Sequence, residues 1–366
     1  MAKTDPIDAD GLARLRLIRT ASVGPVTYRQ LLRRFGSPQG ALDAIPDLAR
    51  RGGGRTPFIP SLADAEREAN RVSLLGARYL FDSRDHYPAL LAEAEDAPPV
   101  LIAAGDLSLL ERPMVAMVGA RNASAAAVRF ARQLAYDLAT LGHVVVSGLA
   151  RGIDTAAHQG ALATGTIGVV AGGIDIFYPP ENEALQREMM TRGLVLSEQP
   201  PGTEPHARHF PSRNRIIAGL AQGTVVVEAA PKSGSLITAR LAAEYGRDVM
   251  AVPGSPLDPR AQGCNQLIRE GATLVQSAAD VAEALGPFGG HHVAAPAPDF
   301  TVAASGDIGD RERQAILDLL GPSPVAVDEL VRQSGMPPAA IHIILLELEL
   351  AGRLARHAGA RISLDG

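Results

Sequence analysis

The sequence predicts an α/β protein built around a Rossmann-like, doubly wound and mostly parallel sheet. Short runs rich in Val, Ile and Leu alternate with segments of helical periodicity over residues 113–285. Near-continuous apolar strands of this kind are typical of parallel strands covered by helices on both faces. The clearest unit covers residues 113–158, where a strand at 114–118, a helix at 124–141 and a strand at 144–146 follow one another.

The same alternation predicts the remaining elements of this central domain, which we place at residues 77–285. Strands are expected at residues 143–146, 166–170, 194–197, 224–227 and 249–252, and helices at 155–163, 182–191, 213–220, 236–245 and 265–270. The first part of the domain, up to Gly105, predicts one or two strands, because Pro98 and Pro99 block a helix there.

Residues 1–76 have the pattern of a small helical module. Apolar residues at helical spacing flank a break at Ser22-Val23-Gly24-Pro25, and a further helix is expected near residues 62–75. A tight glycine turn between two helices is typical of SAM-like or helix–hairpin–helix modules, whose turn N–H groups can hold a DNA phosphate. An ordinary helical hairpin used for packing or self-association is the alternative.

The tail, residues 310–366, predicts a winged-helix domain, with helices at 313–320, 327–333 and 339–350 followed by a β-hairpin. The third helix would normally carry basic or amide side chains into the DNA major groove. Here it is apolar, contains Glu347 and Glu349, and has no Arg or Lys. A protein-interaction or structural role is therefore favoured over duplex readout.

Residues 286–309 predict a flexible linker, because they are rich in Gly, Ala, Pro and His without periodicity. His291 and His292 are expected to be solvated rather than to bind a metal.

The composition excludes several classes of protein. The 366 residues carry a formal net charge of −5, so the whole molecule is not a polybasic nucleic-acid binder, although a local basic patch is compatible with that sum. The single Cys264 excludes an intramolecular disulfide and a cysteine-built zinc site. There is neither a signal-peptide pattern nor an apolar segment of membrane-spanning length, so a cytoplasmic protein without a membrane partner, metal or other cofactor is expected.

Two glycine-bearing turns follow the first two strands of the central unit, and each combines small residues with an arginine. They contain Arg121, Asn122 and Ser124 in the first turn and Ser147, Gly148, Arg151 and Gly152 in the second. The carboxyl ends of neighbouring parallel strands meet, so free backbone N–H groups would line one crevice suited to a phosphate. The alternative is that the glycines only make tight turns. Asp154 is expected to cap the next helix rather than to transfer protons.

Two later segments add cations that could reach the same crevice. They contain Phe210, Arg213, Asn214 and Arg215 in one segment and Lys232, Ser233, Gly234 and Ser235 in the other, and Asn265 follows a further turn. Arginine and amide donors beside an aromatic ring suit the phosphate and base of a nucleotide, unless the arginines are a surface pair and the ring is core. The order Lys-Ser-Gly-Ser differs from a Walker loop and does not support ATP hydrolysis.

Seven motifs in order give these segments a specific resemblance. They are VGARNAS, SGLARGIDTAAH, AGGIDIFYPPEN, LSEQPPG, HFPSRNRIIAGL, VVVEAAPKSGSLITARLAAEYGRDVMAVPG and GCNQLIREGA. The chain resembles the DNA-processing protein A (DprA/Smf) family over residues 87–285, and its flanking modules fit the SAM-like front module and winged-helix tail of that family. The acidic third helix of the tail departs from a DNA-reading domain and leaves the role of the tail open.

The resemblance implies a protein that is not an enzyme. It implies sequence-independent binding of single-stranded DNA, protection of incoming strands during natural transformation, and loading of the RecA recombinase against single-strand binding protein. It also implies a homodimer formed through the Rossmann-like domain. By matching positions, it implies a DNA pocket at Arg121, residues 147–152, Arg213, Arg215 and residues 232–235.

Two other functions remain open from the residues. Phosphoribohydrolases with a related fold carry a P-G-G-x-G-T-x-x-E loop, and Gly172-Gly173 and Gly223-Thr224 followed by Glu228 echo it without reproducing it. Glu228 would be the only suspected catalytic carboxylate. An adaptor acting through its terminal modules would explain the acidic tail helix but would leave the crevice without a use.

Overall fold

The computed structural model describes residues 7–84, 86–286, 308–357 and 361–364. Its contacts divide the chain into two units, one built on Glu68–His292 and the other combining Ile7–Arg67 with Val293–Gly366. Apart from Gly286, Ile308 and Gly309, the predicted linker lies outside the described residues, as do His291 and His292.

The first unit contains a nine-stranded sheet. Its strands are β1 Arg78–Phe81, β2 Val100–Gly105, β3 Met114–Gly119, β4 Val144–Ser147, β5 Thr166–Gly173, β6 Leu194–Gln199, β7 Gly223–Val227, β8 Asp248–Ala251 and β9 Thr273–Leu274. They lie in the order β1-β2-β6-β5-β4-β3-β7-β8-β9. Strands β3 to β9 pair in parallel, whereas β2 pairs antiparallel with both β1 and β6. The predicted mostly parallel sheet is confirmed.

Helices cover both faces of this sheet. They are α4 Leu62–Leu74, which begins in the second unit, α5 Ala89–Ala92, α6 Ala125–Thr140, α7 Ile153–Ala161, α8 Glu183–Arg192, α9 His209–Leu220, α10 Gly234–Glu244, α11 Gln262–Arg269 and α12 Ala278–Leu285. Alternate residues of β3 point to opposite faces: Val115 and Met117 pack against α6, α7 and α12, whereas Ala116 and Val118 share a core with α9, α10 and α11.

The strand order places a topological switch point beside β3. Strand β3 pairs with β4 on one side and with β7 on the other, where Gly119 is opposite Val227. The connections after β3 and β7 therefore leave the sheet at adjacent points. Ligands of doubly wound sheets bind in the crevice that forms outside the carboxyl ends of the strands at such a point.

The second unit contains the predicted N-terminal helical module and the winged helix. The module consists of α1 Ala9–Ile18, α2 Pro25–Phe35 and α3 Pro38–Arg51, and the tail of α13 Asp310–Leu319, β10 Val325–Ala326, α14 Val327–Ser334, α15 Pro338–Leu350, β11 Leu354–His357 and β12 Arg361–Leu364. The tail strands form a sheet in the order β10-β12-β11. No helix in the described ranges combines the length and apolar character that a bilayer crossing requires.

Candidate functional site

A crevice opens at the switch point, outside the carboxyl ends of β3 and β7. It encloses about 610 Å³ and continues into a smaller recess of about 210 Å³ on the β4 side. The larger part is lined by Asn122, Asn214 and Lys232 to Ser235, and the recess by Gly148 and Arg151, while Arg121, Phe210 and Arg213 line both. Three separate turns and the start of α9 thus converge, as the motifs predict.

Arg121 and Lys232 are the exposed cations of the larger crevice without an acidic partner. Arg121 lies in the turn after β3, and its guanidinium carbon is 5.3 Å from the centroid of the Phe210 ring. Lys232 lies in the turn after β7. Within the described ranges, no carboxylate is within ion-pairing distance of either side chain. Their charge is therefore available to an anion.

Two further arginines face the site but are already paired. Arg151 lies 3.9 Å from Glu181, and Arg260 lies 2.9 Å from Asp258. Arg260 belongs to none of the seven motifs and reaches the crevice from the loop before α11. Sequence reasoning missed it because nothing in the local pattern distinguishes it from a surface arginine.

An aromatic pair forms one wall of the recess. The ring centroids of Tyr178 and Phe210 are 5.7 Å apart, with the rings tilted by 56°. Tyr178 is 48% exposed, so part of its side chain is accessible to a ligand beside the cations. Tyr178 was not among the predicted residues, although it lies in the AGGIDIFYPPEN motif. The pair provides a surface on which a base could stack.

Arg213 lies at the floor of the crevice and is almost fully buried. It donates hydrogen bonds to the carbonyl oxygens of Gly148 and Val169. Burial lowers the pKa of Arg213 to about 10, so the side chain stays charged at neutral pH. Its guanidinium thus supports the turn after β4 from below while adding positive charge to the site.

Asp154 fixes the same turn from the other side. Its Oδ2 accepts hydrogen bonds from the backbone N–H groups of Gly148, at 3.1 Å, and Ala150, at 3.3 Å. Burial raises the pKa of Asp154, and the nearby Arg213 opposes that rise. The residue at the N-cap of α7 is Gly152 rather than Asp154. Asp154 therefore stabilises the preceding turn instead of capping α7 as the sequence predicts.

Arg215 lies outside the crevice, although the motif predicts it there together with Arg213. Residues two apart on a helix are rotated by about 200°, so the two arginines leave α9 on nearly opposite sides. Arg215 is buried in an ion pair with Glu198 and donates to the backbone oxygen of Asp96. The Asp96 side chain in turn accepts a hydrogen bond from the Tyr245 hydroxyl at 2.6 Å. Arg215 thus stabilises the fold and does not line the site.

Three predicted polar residues use their side chains within the protein. The Ser147 hydroxyl donates to the backbone oxygen of Met117. The Asn265 side chain accepts a hydrogen bond from Gly254 N–H at 3.1 Å and donates one to the Gly254 backbone oxygen at 2.9 Å, away from the crevice. Ser124 caps α6 by accepting from Ala127 N–H at 3.1 Å. These residues position the surrounding backbone and do not line either part of the site.

Glu228 links the turns that follow β3 and β7. Its carboxylate accepts from Ser124 N–H at 2.8 Å and from the Ser124 hydroxyl at 2.6 Å, and its backbone oxygen accepts from Ala120 N–H at 2.7 Å. Both carboxylate oxygens are thus engaged at the start of α6, where a negative charge is stabilising. The geometry gives Glu228 a structural function.

Some backbone N–H groups of these turns are occupied. Internal acceptors take those of Ala120, Ser124, Gly148, Ala150 and Ser233. The sequence predicts that free N–H groups would line the crevice. The occupied groups cannot serve an anion, which then depends on the cationic side chains and on the rest of the turn backbone.

The glycines of the second turn permit close packing. A Cβ on Gly152 would lie 2.2 Å from the backbone oxygen of Ala120, and one on Gly148 would lie 1.9 Å from Arg213 Nη1. Three other residues of the site adopt positive φ without being glycine, namely Leu149 at 55°, Glu228 at 54° and Lys232 at 64°. Such conformations are uncommon outside glycine and cluster at binding sites.

The central domain matches a family of known proteins. The family model described as DNA recombination-mediator protein A matches residues 78–286. The chain belongs to this family, DprA. The model of the DprA-like N-terminal HHH domain matches residues 8–70, and that of the DprA winged helix domain matches residues 295–360.

Several curated relatives share the DprA pattern. DNA processing protein DprA of Streptococcus pneumoniae is 51% identical over 199 residues, covering 54% of this chain and 70% of that protein. Protein Smf of Synechocystis is 33% identical over 378 residues, covering 93% and 95%. The resemblance inferred from the seven motifs is confirmed.

Two solved DprA structures are similar to this one. The structure from Streptococcus pneumoniae has a TM-score of 0.62 and 38% identity, and the match covers 75% of this chain and 97% of that one. The structure from Helicobacter pylori has a TM-score of 0.52 and 31% identity, with 56% and 93% covered. The latter addresses a single-stranded DNA binding mode of the Helicobacter protein.

Proposed function

We propose that this protein binds single-stranded DNA in the switch-point crevice and acts as a recombination mediator. The observation that carries the proposal is the position of Arg121 and Lys232, two cations without an acidic partner in the described ranges, beside a wall formed by half-buried Phe210 and exposed Tyr178. A single strand presents phosphates and unstacked bases together, whereas a duplex hides the faces of its bases. The pairing of cations with an aromatic wall therefore favours the single strand.

We infer that binding is independent of sequence. Arg121 and Lys232 would contact phosphates, which are identical at every nucleotide, and every base has a face that can stack on Phe210. Arg151 and Arg260 also line the site, where a phosphate would compete with their partners Glu181 and Asp258. Cations that come from four separate connections suit successive phosphates along a strand better than one small-molecule phosphate.

The wider role rests on family membership. We propose that the protein acts in the cytoplasm as a homodimer, protects incoming strands during natural transformation, and loads RecA recombinase where single-strand binding protein blocks access. We also propose that it is not an enzyme and needs no cofactor. The engagement of both Glu228 carboxylate oxygens supports this, because a catalytic carboxylate would have to face the substrate.

The test compares two double variants in fluorescence anisotropy with a labelled oligonucleotide, single-stranded and as a duplex. Arg121→Ala with Lys232→Ala removes the unpaired crevice cations. Arg192→Ala with Arg240→Ala removes two exposed helical arginines outside the site and changes the net charge equally. The crevice variant should lose binding of the single strand while keeping its thermal unfolding midpoint, and the control should bind normally. Equal loss in both variants, or none in the first, would refute the site.

A separate assay addresses the hydrolase alternative. The protein is incubated with nucleoside monophosphates, and free base is measured by chromatography, with Glu228→Gln as the comparison. We expect no base release from either protein. Release that depends on Glu228 would overturn the proposal that the chain is not an enzyme.

A further inference from the structure

The third helix of the winged helix, α15, is buried on two sides. One side lies in the core of the tail, to which it contributes Ile341, Ile344, Leu345 and Leu348. The other side contributes Leu346 and Leu350 to the core of the N-terminal helical module. Helices that are apolar over most of their circumference are usually buried, and α15 is apolar except for His342, Glu347 and Glu349. The apolar composition of α15 is thus explained by its packing in two hydrophobic cores.

The backbone of the N-terminal module approaches α15 very closely just after α3. A Cβ on Gly52 would lie 2.1 Å from the backbone oxygen of Glu347, and one on Gly54 would lie 2.3 Å from that of Ala351. Gly52 has a φ of −71°, which any residue can adopt. The absence of a side chain at Gly52 is thus required by the contact and not by its own backbone. Arg353 Nη1 also donates to the Gly52 oxygen at 3.2 Å.

Glu347, one of the two acidic residues of α15, lies at the same contact. Glu347 is 1% exposed and receives two hydrogen bonds from Arg313 of α13, from Nε at 2.8 Å and from Nη2 at 3.3 Å. A carboxylate in this position would repel DNA phosphates on an open recognition helix. Here it is neutralised by Arg313, beside the Gly52 contact. Its charge is therefore used inside the protein.

We propose that the N-terminal helical module and the winged helix form one cooperative domain, in which α15 is the docking helix for the module. This goes beyond the proposed DNA binding, since it assigns the tail helix a partner within the chain. The face of α15 that would enter a major groove is already occupied by the α3 side of the module. The two modules, which are distant in sequence, stabilise each other and open together.

The test uses the full-length chain carrying Gly52→Ala and hydrogen–deuterium exchange read by mass spectrometry. The new Cβ meets backbone, which cannot move aside. Peptides from both α3 and α15 should therefore exchange faster by about tenfold or more, while peptides from α6 in the other unit stay unchanged. Gly24→Ala is the matched control, because no atom lies within 4 Å of a Cβ there. The control should leave α15 protection unchanged.

A milder variant keeps the test decisive if Gly52→Ala fails to fold. Arg353→Ala removes the hydrogen bond to Gly52 without adding an atom to the contact, and it should raise exchange in α3 and α15 by a smaller, parallel factor. Unchanged protection of α3 in the Arg353 variant, or faster exchange of α15 alone in either variant, would overturn the proposal. Parallel changes in both helices would support it.

Discussion

Removing the two unpaired crevice cations should flatten the salt dependence of oligonucleotide binding. Arg121 and Lys232 are exposed and lack acidic partners within the described ranges, so each should neutralise one phosphate and release its counterions. For single strands, the logarithm of affinity falls against the logarithm of salt with a slope of about −0.7 per neutralised phosphate. Losing two contacts should therefore make the slope less negative by about 1.4.

The magnitude is large enough to measure. When salt rises from roughly 50 to 200 mM, a slope difference of about 1.4 corresponds to about a sevenfold difference in the loss of affinity. The Arg121→Ala and Lys232→Ala double variant should therefore lose about sevenfold less affinity than the wild type over this range. The assay is an anisotropy titration at several salt concentrations with the wild type, this variant, and the Arg192→Ala and Arg240→Ala control. A weaker variant with the wild-type slope would show that the lost contacts are not to phosphates. A control that flattens equally would show that only net charge matters.

Three further predictions concern base stacking on Phe210, the stability contributed by Arg215, and the protonation of His158. Phe210→Ala should weaken single-strand binding by about 1–3 kcal/mol, and Phe210→Leu, which keeps apolar bulk, should bind as weakly with a native melting temperature; retained affinity in Phe210→Leu would contradict stacking. Arg215→Met should lower the free energy of unfolding by about 3 kcal/mol, because Glu198 loses its buried partner, while the folded protein binds DNA normally in anisotropy. Burial lowers the pKa of His158 from 6.5 to about 3, so the unfolded chain binds more protons between these values. Lowering the pH across that window should therefore decrease the stability by up to about 1.4 kcal/mol per pH unit. In denaturant titrations at several pH values, the unfolding free energy of His158→Gln should depend less on pH at acid pH than that of the wild type. An unchanged dependence would show that His158 is not its cause.

The sheet was predictable because its strands are near-continuous apolar runs. The third N-terminal helix, α3, is not among the predicted helices, and Gly36, Pro38 and Pro46 are residues that disfavour a continuous helix there. Gly36 ends α2 with a φ of 71°, and Pro38 occupies the first turn of α3, where a proline is tolerated. Pro46 is the proline in the interior of the helix, after buried Ile45 and before buried Leu48 and Ala49. The packing of the apolar face of α3 outweighs the unfavourable effect of a proline inside the helix.

The site was predictable as a set of turns but not in the direction of each side chain. Helix geometry alone separates Arg213 and Arg215 by about 200° around α9. It therefore indicates that the two side chains do not both face the crevice. Which one faces the crevice depends on how α9 packs on the sheet, and that is a tertiary property. The occupation of turn N–H groups by Asp154 and Glu228 likewise depends on contacts between segments distant in sequence.

The left-handed residues around the crevice have a kinetic consequence. Leu149, Glu228 and Lys232 hold conformations that an isolated turn would avoid, so the surrounding contacts must already fix their shape before any ligand arrives. A surface that is ordered in advance loses little conformational entropy on association. Mixing in a stopped-flow fluorimeter should then give one exponential phase, whose rate rises linearly with oligonucleotide concentration and shows no plateau from a slow rearrangement.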